Sequence, residues 1–270
     1  MNNFWQRTLT GFVFVLIIVA STLFSGVSYL VLLSIINTLC LYEFFSLVLT
    51  DKKPFEKYLG VAIGTVMMTV LILIITGNLN LGWLYHIIPL FGFMFIIKLF
   101  EKTGREFETL AYQILGIIYL TFPLAMLADM GYYNSFEYAY SIPLGFFILH
   151  WSSDTFAYIV GRAFGRTKLF ERISPKKTIE GSFGALIITI GIAYLLSIIW
   201  DDLARTDWMM IAAIIVVFGT FGDLMESLLK RNLGIKDSGK ILPGHGGVLD
   251  RFDGFFLSVP FVYFYLLIIQ

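Results

Sequence analysis

Charge is scarce in this chain: Asp, Glu, Lys and Arg make up only 14% of its 270 residues, where a soluble domain carries about 25%. That shortage excludes a water-soluble globular protein. Cysteine is nearly absent as well. The single one, Cys40, sits inside an apolar run, so neither a disulfide framework nor a thiolate metal cluster can be assembled. Histidine is sparse, and His86 and His150 lie in apolar runs with no partner at ligand spacing, so both read as packing residues. No fixed-period repeat, low-complexity tract or soluble appendage is visible. Nineteen basic and nineteen acidic residues cancel; net charge therefore says nothing about partners, and only placement can.

What is abundant is apolar surface, with 58% hydrophobic residues and a mean hydropathy of +0.82 over the whole length. A membrane-spanning helix needs about 20 mostly apolar residues to cross about 30 Å of hydrocarbon. Nine stretches qualify, over 8–25, 28–49, 58–76, 82–99, 109–128, 139–160, 179–200, 208–229 and 249–269. The fold class expected is all-α, a polytopic integral membrane protein with about nine transmembrane helices. The first stretch, which follows Arg7 and ends near Ala20-Ser21, has an alternative reading as a cleavable leader; retaining it as a helix gives the consistent topology. Five spans in 1–130 then form an N-terminal region. Four spans in 131–270, with the long loops, form the region expected to be catalytic.

Lys and Arg accumulate in cytoplasmic loops. With the N-terminus inside, eighteen of the nineteen basic residues fall on one side, among them Lys52, Lys53, Lys57, Lys98, Lys102, Arg105, the run from Arg162 to Lys177 and the run from Lys230 to Arg251. Only Arg205 lies opposite, so the C-terminus is expected outside. The two longest loops, 161–178 and 230–248, are basic, glycine-containing and on that same inner side. Loops of such length without structure of their own are uncommon unless functional.

Carboxylates also lie at the inner ends of the spans: Glu43, Asp154, Glu180, the pair Asp223 and Glu226, and the pair Asp250 and Asp253. A carboxylate at the bilayer centre costs about 2.5 to 3.5 kcal/mol on insertion scales, so these groups need compensation. The i,i+3 spacing within each pair puts its members on one helical face, and two such faces meeting supply four carboxylates. An all-oxygen set suits a hard cation such as Mg²⁺, usually shared with substrate phosphates. The competing explanation is that the acids pair with Lys230, Arg231 and Arg251 in a solvated interface, which is the preferred reading for Glu43.

The segment Leu242-Pro243-Gly244-His245-Gly246-Gly247 runs directly into Asp250. Glycines let the backbone approach a ligand closely, and helix N-termini attract anions. Flanked by Lys230, Arg231, Lys236 and Asp237 on one side and by Asp250-Arg251-Phe252-Asp253 on the other, it reads as a phosphate site with its metal. His245, between glycines, is placed to touch phosphate, move a proton or stabilise the turn. In the other loop, Ser174 is expected as the N-cap of span seven with Pro175 at its first position, so that Lys176 and Lys177 stand at a positive helix end. Lys52, Lys53, Lys57, Lys102 and Arg105 read as anchors at the lipid surface.

From Ser227-Leu228-Leu229-Lys230-Arg231 through Lys236-Asp237-Ser238-Gly239 to Pro243-Gly244-His245-Gly246-Gly247 and Asp250-Arg251-Phe252-Asp253, the sequence resembles the signature of the phosphatidate cytidylyltransferases, also called CDP-diacylglycerol synthases. The likeness extends to Trp151-Ser152-Ser153-Asp154-Thr155-Phe156-Ala157-Tyr158, Gly161-Arg162, Phe164-Gly165 and Ser174-Pro175-Lys176-Lys177-Thr178-Ile179-Glu180-Gly181. It covers the C-terminal half in motifs and the N-terminal 130 residues by hydropathy alone. Ser152-Ser153 and Ile179 depart from the family pattern, which touches substrate contacts and leaves the carboxylates intact. The resemblance implies condensation of CTP with phosphatidic acid to CDP-diacylglycerol and pyrophosphate by a metal-dependent homodimer in a prokaryotic cell membrane, with the active site facing the cytoplasm. It implies Asp223 and Asp250 as ligands of Mg²⁺, with Asp253 behind them or on a second cation. Lys176, Lys177, Lys230, Arg231, Lys236 and Arg251 become phosphate clamps, joined at the substrate by Asp154, Asp237 and His245; Arg251 also belongs to the catalytic set.

Two other functions fit part of this pattern. A CTP-dependent polyprenol or phytol kinase would have to activate a hydroxyl and would release CDP. An ion-coupled transporter would place its carboxylates near the midplane, often in repeated halves, whereas here they lie toward one side and no repeat is found. The compact motif of the CDP-alcohol phosphotransferases does not occur.

Overall fold

The computed structural model describes residues 3–49, 54–101, 104–133, 137–239, 241–244 and 246–270. Lys52, Lys53, Lys102, Lys240 and His245 lie outside the described residues. The chain forms two units, one of Met1–Tyr138 with Asp237–Leu249, the other of Ala139–Lys236 with Asp250–Gln270.

The first unit contains α1 (Asn3–Phe24), α2 (Gly26–Val48), α3 (Pro54–Ile75), a 3-10 segment Leu81–Ile87 leading into α4 (Ile88–Lys98), α5 (Glu106–Gly116) and α6 (Phe122–Met130). The break between α1 and α2 is local chemistry: Ser25 accepts the Ser28 N–H at 3.1 Å while Ser28 Oγ accepts the Ser25 N–H at 3.1 Å, a reciprocal cap that satisfies two free donors. Between α5 and α6 the backbone takes a π-helical turn over Ile117–Thr121. Pro123 explains it, because a proline ring clashes with the carbonyl four residues back and removes a donor. Around α2 the core gathers Tyr29, Leu33, Cys40, Leu41 and Phe45, all buried completely. Cys40 is thus a packing residue with no access to solvent.

This unit also buries a polar group at one end. Glu56, in the first turn of α3, forms an ion pair with Lys98 at the end of α4 and accepts a hydrogen bond from Gln113 of α5 at 3.0 Å. Lys98 reaches Glu101 at 3.3 Å as well. Removing two charges from water is tolerated when each finds several partners.

The second unit contains α7 (Ser141–Phe164), β1 (Lys168–Phe170), β2 (Ser174–Thr178), α8 (Ile179–Ile199), α9 (Arg205–Asn232) and α10 (Phe255–Ile269). In this unit α8 packs between α7 and α9, and α10 lies against α9. Two expectations change here. The segment 161–178 is not without structure: β1 and β2 pair antiparallel with Lys168 opposite Thr178 and Phe170 opposite Ser174. Ser174 is therefore not the N-cap of the next helix and Pro175 is not its first residue. The ladder with β1 occupies their backbone, and a proline, lacking its N–H, is tolerated on an edge strand. Capping passes to Thr178, whose Oγ1 accepts the Gly181 N–H at 3.2 Å.

Every apolar stretch of the sequence forms helix over most of its length, the last of them only from Phe255 onward, and apart from the hairpin the expected all-α class holds. Among the described residues six helices are long and apolar enough to cross a membrane: Gly26–Val48, Pro54–Ile75, Leu81–Lys98, Glu106–Met130, Ile179–Ile199 and Arg205–Asn232. Thr8–Phe24 and Phe255–Ile269 are apolar but shorter.

Candidate active site

In the second unit, four elements, α8 with Ser182 among them, turn polar side chains toward one cavity of about 300 Å³. Helix α7 supplies Ser153, Asp154 and Tyr158, strand β2 supplies Lys176 and Lys177, and α9 supplies Thr220 and Asp223. Lys177 forms an ion pair with Asp223 and lies 3.5 Å from the Thr220 carbonyl. The hairpin matters to this geometry. Because Thr178 caps α8 from an extended backbone, the two lysines precede the helix on a strand and reach across the cavity.

A second charged cluster occupies the last turns of α9. Lys230 donates to Asp250 Oδ1 at 2.7 Å and lies 3.1 Å from Glu226 Oε1. Glu226 is buried, and the Lys230 ammonium is the positive charge beside it. Asp223 and Glu226 share one face of α9, as their i,i+3 spacing requires. Asp250 and Asp253 do not share one. Asp250 sits in the single 3-10 turn Leu249–Arg251, and α10 begins only at Phe255. The Gly254 N–H closes back on Asp253 Oδ1 at 2.7 Å. This turn lies directly on α9, where a Cβ added at Gly222 would fall 2.7 Å from the Asp253 carbonyl. Glycine at 222 is what allows the approach, and it brings Asp253 within electrostatic reach of Asp223 and Asp154.

His150, read from the sequence as a packing residue without a partner, does pack in the core but also has Asp154 beside it. Its ring is buried against Phe255, with ring centroids 3.9 Å apart, and Nε2 lies 3.7 Å from Asp154 Oδ2. Nδ1 has no hydrogen-bond partner among the described residues. The i,i+4 spacing from His150 to Asp154 was the available signal. Ser182 and Thr220 also went unremarked, although they stand one helical turn from Thr178 and Asp223.

The remaining sequence candidates are placed more loosely. Arg231 is exposed, with Nη1 3.4 Å from the Ile235 carbonyl. Lys236, Asp237 and Arg251 are exposed and outside the cavity lining. Glu180 closes the chain after α7, accepting the N–H groups of Arg166 and Thr167 at 3.0 Å each. Backbone amides are thus its compensation.

The glycine-rich segment belongs to the first unit and is built around Glu43 of α2. Glu43 Oε2 accepts the Leu249 N–H at 2.8 Å, and Ser238 Oγ lies 3.5 Å from it. A Cβ at Gly247 would be 2.5 Å from the same oxygen, and one at Gly239 would collide with Oε1. The signature glycines here are the room a buried carboxylate needs. Leu242 and Gly246 close the turn by a 3.0 Å backbone bond, with Gly244 and Gly246 at φ of 76° and 84°, a region that favours glycine. Glu43 is therefore a carboxylate gripped by the loop, whereas the sequence reading paired such acids with Lys230, Arg231 or Arg251.

Oxygen donors of full negative charge are the correct chemistry for a hard cation, and Glu226 is a buried carboxylate with Lys230 3.1 Å from its Oε1. As the side chains stand, however, no three acidic or histidine groups among the described residues converge on one point. Lysine ammonium groups hold Asp223 and Asp250 instead.

The chain also has relatives among known proteins. Residues 5–269 match the model of the cytidylyltransferase family. A phosphatidate cytidylyltransferase of Staphylococcus epidermidis is 32% identical over 262 residues, covering 94% of this chain and 95% of that protein. One from Thermotoga maritima is 35% identical over 185 residues, 66% of this chain and 67% of the relative. Another, from Bacillus subtilis, is 45% identical over 120 residues, 44% of this chain and 45% of its own. A match over nearly the whole length makes the chain a nucleotidyltransferase that belongs to the cytidylyltransferase family.

Proposed function

We propose that the chain condenses CTP with phosphatidic acid to give CDP-diacylglycerol and pyrophosphate. The observation that carries this reading is the pairing of Lys177 with Asp223 at a cavity also lined by Lys176 and Asp154. Such a site presents cationic groups to phosphate and carboxylates to a cation. An oxygen of the lipid phosphate attacks the α-phosphorus of CTP, the bond from that phosphorus to the bridging oxygen breaks, and pyrophosphate leaves. The nucleophile is already ionised, so no strong general base is required. The protein's work is to align two polyanions and neutralise charge as it builds.

Lys176 and Lys177 bind phosphate oxygens as point charges, with Arg231, Lys236 and Arg251 as further cationic contacts to the anionic substrates. Mg²⁺ would be held by Asp223, Asp250 and Asp253, and when bound it supplies neutralisation of the nucleotide phosphates. Support for this is the donor chemistry: Asp223 and Asp250 each already attract a full positive charge. The nine-span topology has both termini fixed by the positive-inside bias, N-terminus inside and C-terminus outside, with the site at the cytoplasmic face of a prokaryotic membrane. A homodimer is part of the same reading.

Detergent-purified protein incubated with radiolabelled CTP, phosphatidic acid and Mg²⁺ should release pyrophosphate only when lipid is present. Release of CDP with a phosphorylated alcohol would replace this reading by the kinase one.

A further inference from the structure

Glu43 is a buried carboxylate to which the proposed reaction gives no part. It lies on α2 and is 2% exposed, and the signature segment closes around it. Oε2 accepts the Leu249 N–H at 2.8 Å and lies 3.5 Å from Ser238 Oγ. Gly239 and Gly247 turn backbone onto the same group. The three atoms nearest a Cβ added at Gly239 all belong to Glu43, and a Cβ at Gly247 would stand 2.5 Å from Oε2. Filling this space takes no charge, since an apolar side chain of similar volume does so without the desolvation cost of a carboxylate. What the carboxylate adds is direction: its bond to the Leu249 N–H fixes that amide in distance and angle.

Leu249 is the first residue of the 3-10 turn Leu249–Arg251. Asp250 follows it and accepts a hydrogen bond from Lys230 Nζ at 2.7 Å. Adjacent Cα atoms keep a separation of about 3.8 Å, so a shift of the Leu249 amide is passed to Asp250. Thr10 of α1 grips the same segment at a second point, donating to the Pro243 carbonyl at 3.1 Å. Losing the Glu43 contact therefore frees the end of the segment and leaves its middle attached. We infer that Glu43 is a positioning residue of the reaction, which sets the place of the turn carrying Asp250 by holding the Leu249 N–H. This rests on the reaction proposed above and gives α2 a part in it, through an amide 206 residues away. Buried as it is, Glu43 touches no substrate.

The test is lipid-dependent pyrophosphate release by the full-length protein in detergent, with kcat expressed per folded molecule. A misplacement of about 1 Å at a reacting centre costs about 100-fold, and Glu43→Ala should lower kcat by about that factor. Glu43→Gln, which keeps an oxygen for the Leu249 N–H, should recover most of the loss. Gly239→Ala tests the same contact from the other side. Gly239 has no positive φ, so alanine fits its backbone, and the added Cβ meets Glu43 first. It should lower kcat by pushing the carboxylate off the amide, and in the Glu43→Ala background it should add nothing, because the two changes act on one contact. Lys98→Met, which breaks the other buried carboxylate contact of the first unit, should destabilise the protein and leave kcat per folded molecule at the wild-type value. Wild-type kcat in either Glu43→Ala or Gly239→Ala, additive losses in the double variant, or an equal loss in Lys98→Met overturns the inference. Wild-type protein that releases no pyrophosphate with phosphatidic acid would instead overturn the reaction itself, so the two failures are distinct.

Discussion

The carboxylate of Glu43, near the C-terminal end of α2, accepts the backbone N–H of Leu249 at 2.8 Å. One buried side chain thereby holds the end of the glycine-rich loop, and Leu249 is the residue before Asp250 in the chain. Removing the acceptor leaves a buried N–H unsatisfied, at a cost of about 1–3 kcal/mol. Glu43→Ala should lower stability by that amount, read as thermal or denaturant unfolding in detergent. Glu43→Gln, which still offers a carbonyl oxygen to Leu249, should lose less. Equal stability in wild type and Glu43→Ala would show that the loop is held by other means.

Lys177 and Asp223 act on the same cavity, so their loss should be read in turnover. Removing one preorganised electrostatic partner at a reacting phosphate costs about 10²–10³ in kcat, and Lys177→Ala is expected to fall in that range or to raise the KM for CTP. Lys57→Ala should do neither, because Lys57 packs over the rings of Tyr42 and Tyr58. Steady-state kinetics on purified variants decide it. An equal loss at both positions would mark a general surface-charge effect.

The cation proposal separates stability from activity. Asp250→Asn keeps the shape of the side chain but removes its charge, so turnover should disappear while the protein still folds. Wild type should gain thermal stability as Mg²⁺ and CTP are added, since a ligand that binds the native state stabilises it. The variant should gain much less. Near-normal Mg²⁺-dependent turnover in Asp250→Asn would leave Asp250 as the structural partner of Lys230 and nothing more.

At the buried ion pair of the first unit, breaking one partner leaves the other charge uncompensated. Lys98→Met should destabilise by about 3–5 kcal/mol, and Glu56→Gln added to it should recover part of that loss. The measurement is a double-mutant unfolding series, with turnover per folded molecule unchanged throughout. Additive losses would mean that the two side chains do not depend on each other.

Orientation can be checked in intact cells, helped by the burial of Cys40, which keeps the background low. A cysteine at Lys168 should be protected from an impermeant thiol reagent applied outside, and one at Asp202 should react. Labelling at Lys168 would put the polar cavity on the side away from CTP.

Hydropathy and the distribution of lysine and arginine are properties of short windows, and they are legible without a fold. Each apolar stretch from 8–25 to 249–269 became helix over most of its length, because a single segment can satisfy its own backbone in lipid only as a helix. The signature residues from Lys230 to Asp253 were legible in the same way, as a run of residue types. Where the ends of elements fall was not. Ser174 and Pro175 look like a helix start by local rules, and only pairing with β1 made them a strand. Asp250 and Asp253 look like one helical face, and only the packing of Gly254 on Gly222 moved the helix start beyond them. Partner choice was the least legible. Lys177 meets Asp223, Lys230 meets Asp250, and Glu43 meets a backbone amide 206 residues away. The sequence by itself determined which segments leave water and which charges must be compensated. Tertiary structure alone decided which charge compensates which, because a buried carboxylate takes whatever donor the packing brings within about 3 Å, and packing is a property of the whole chain.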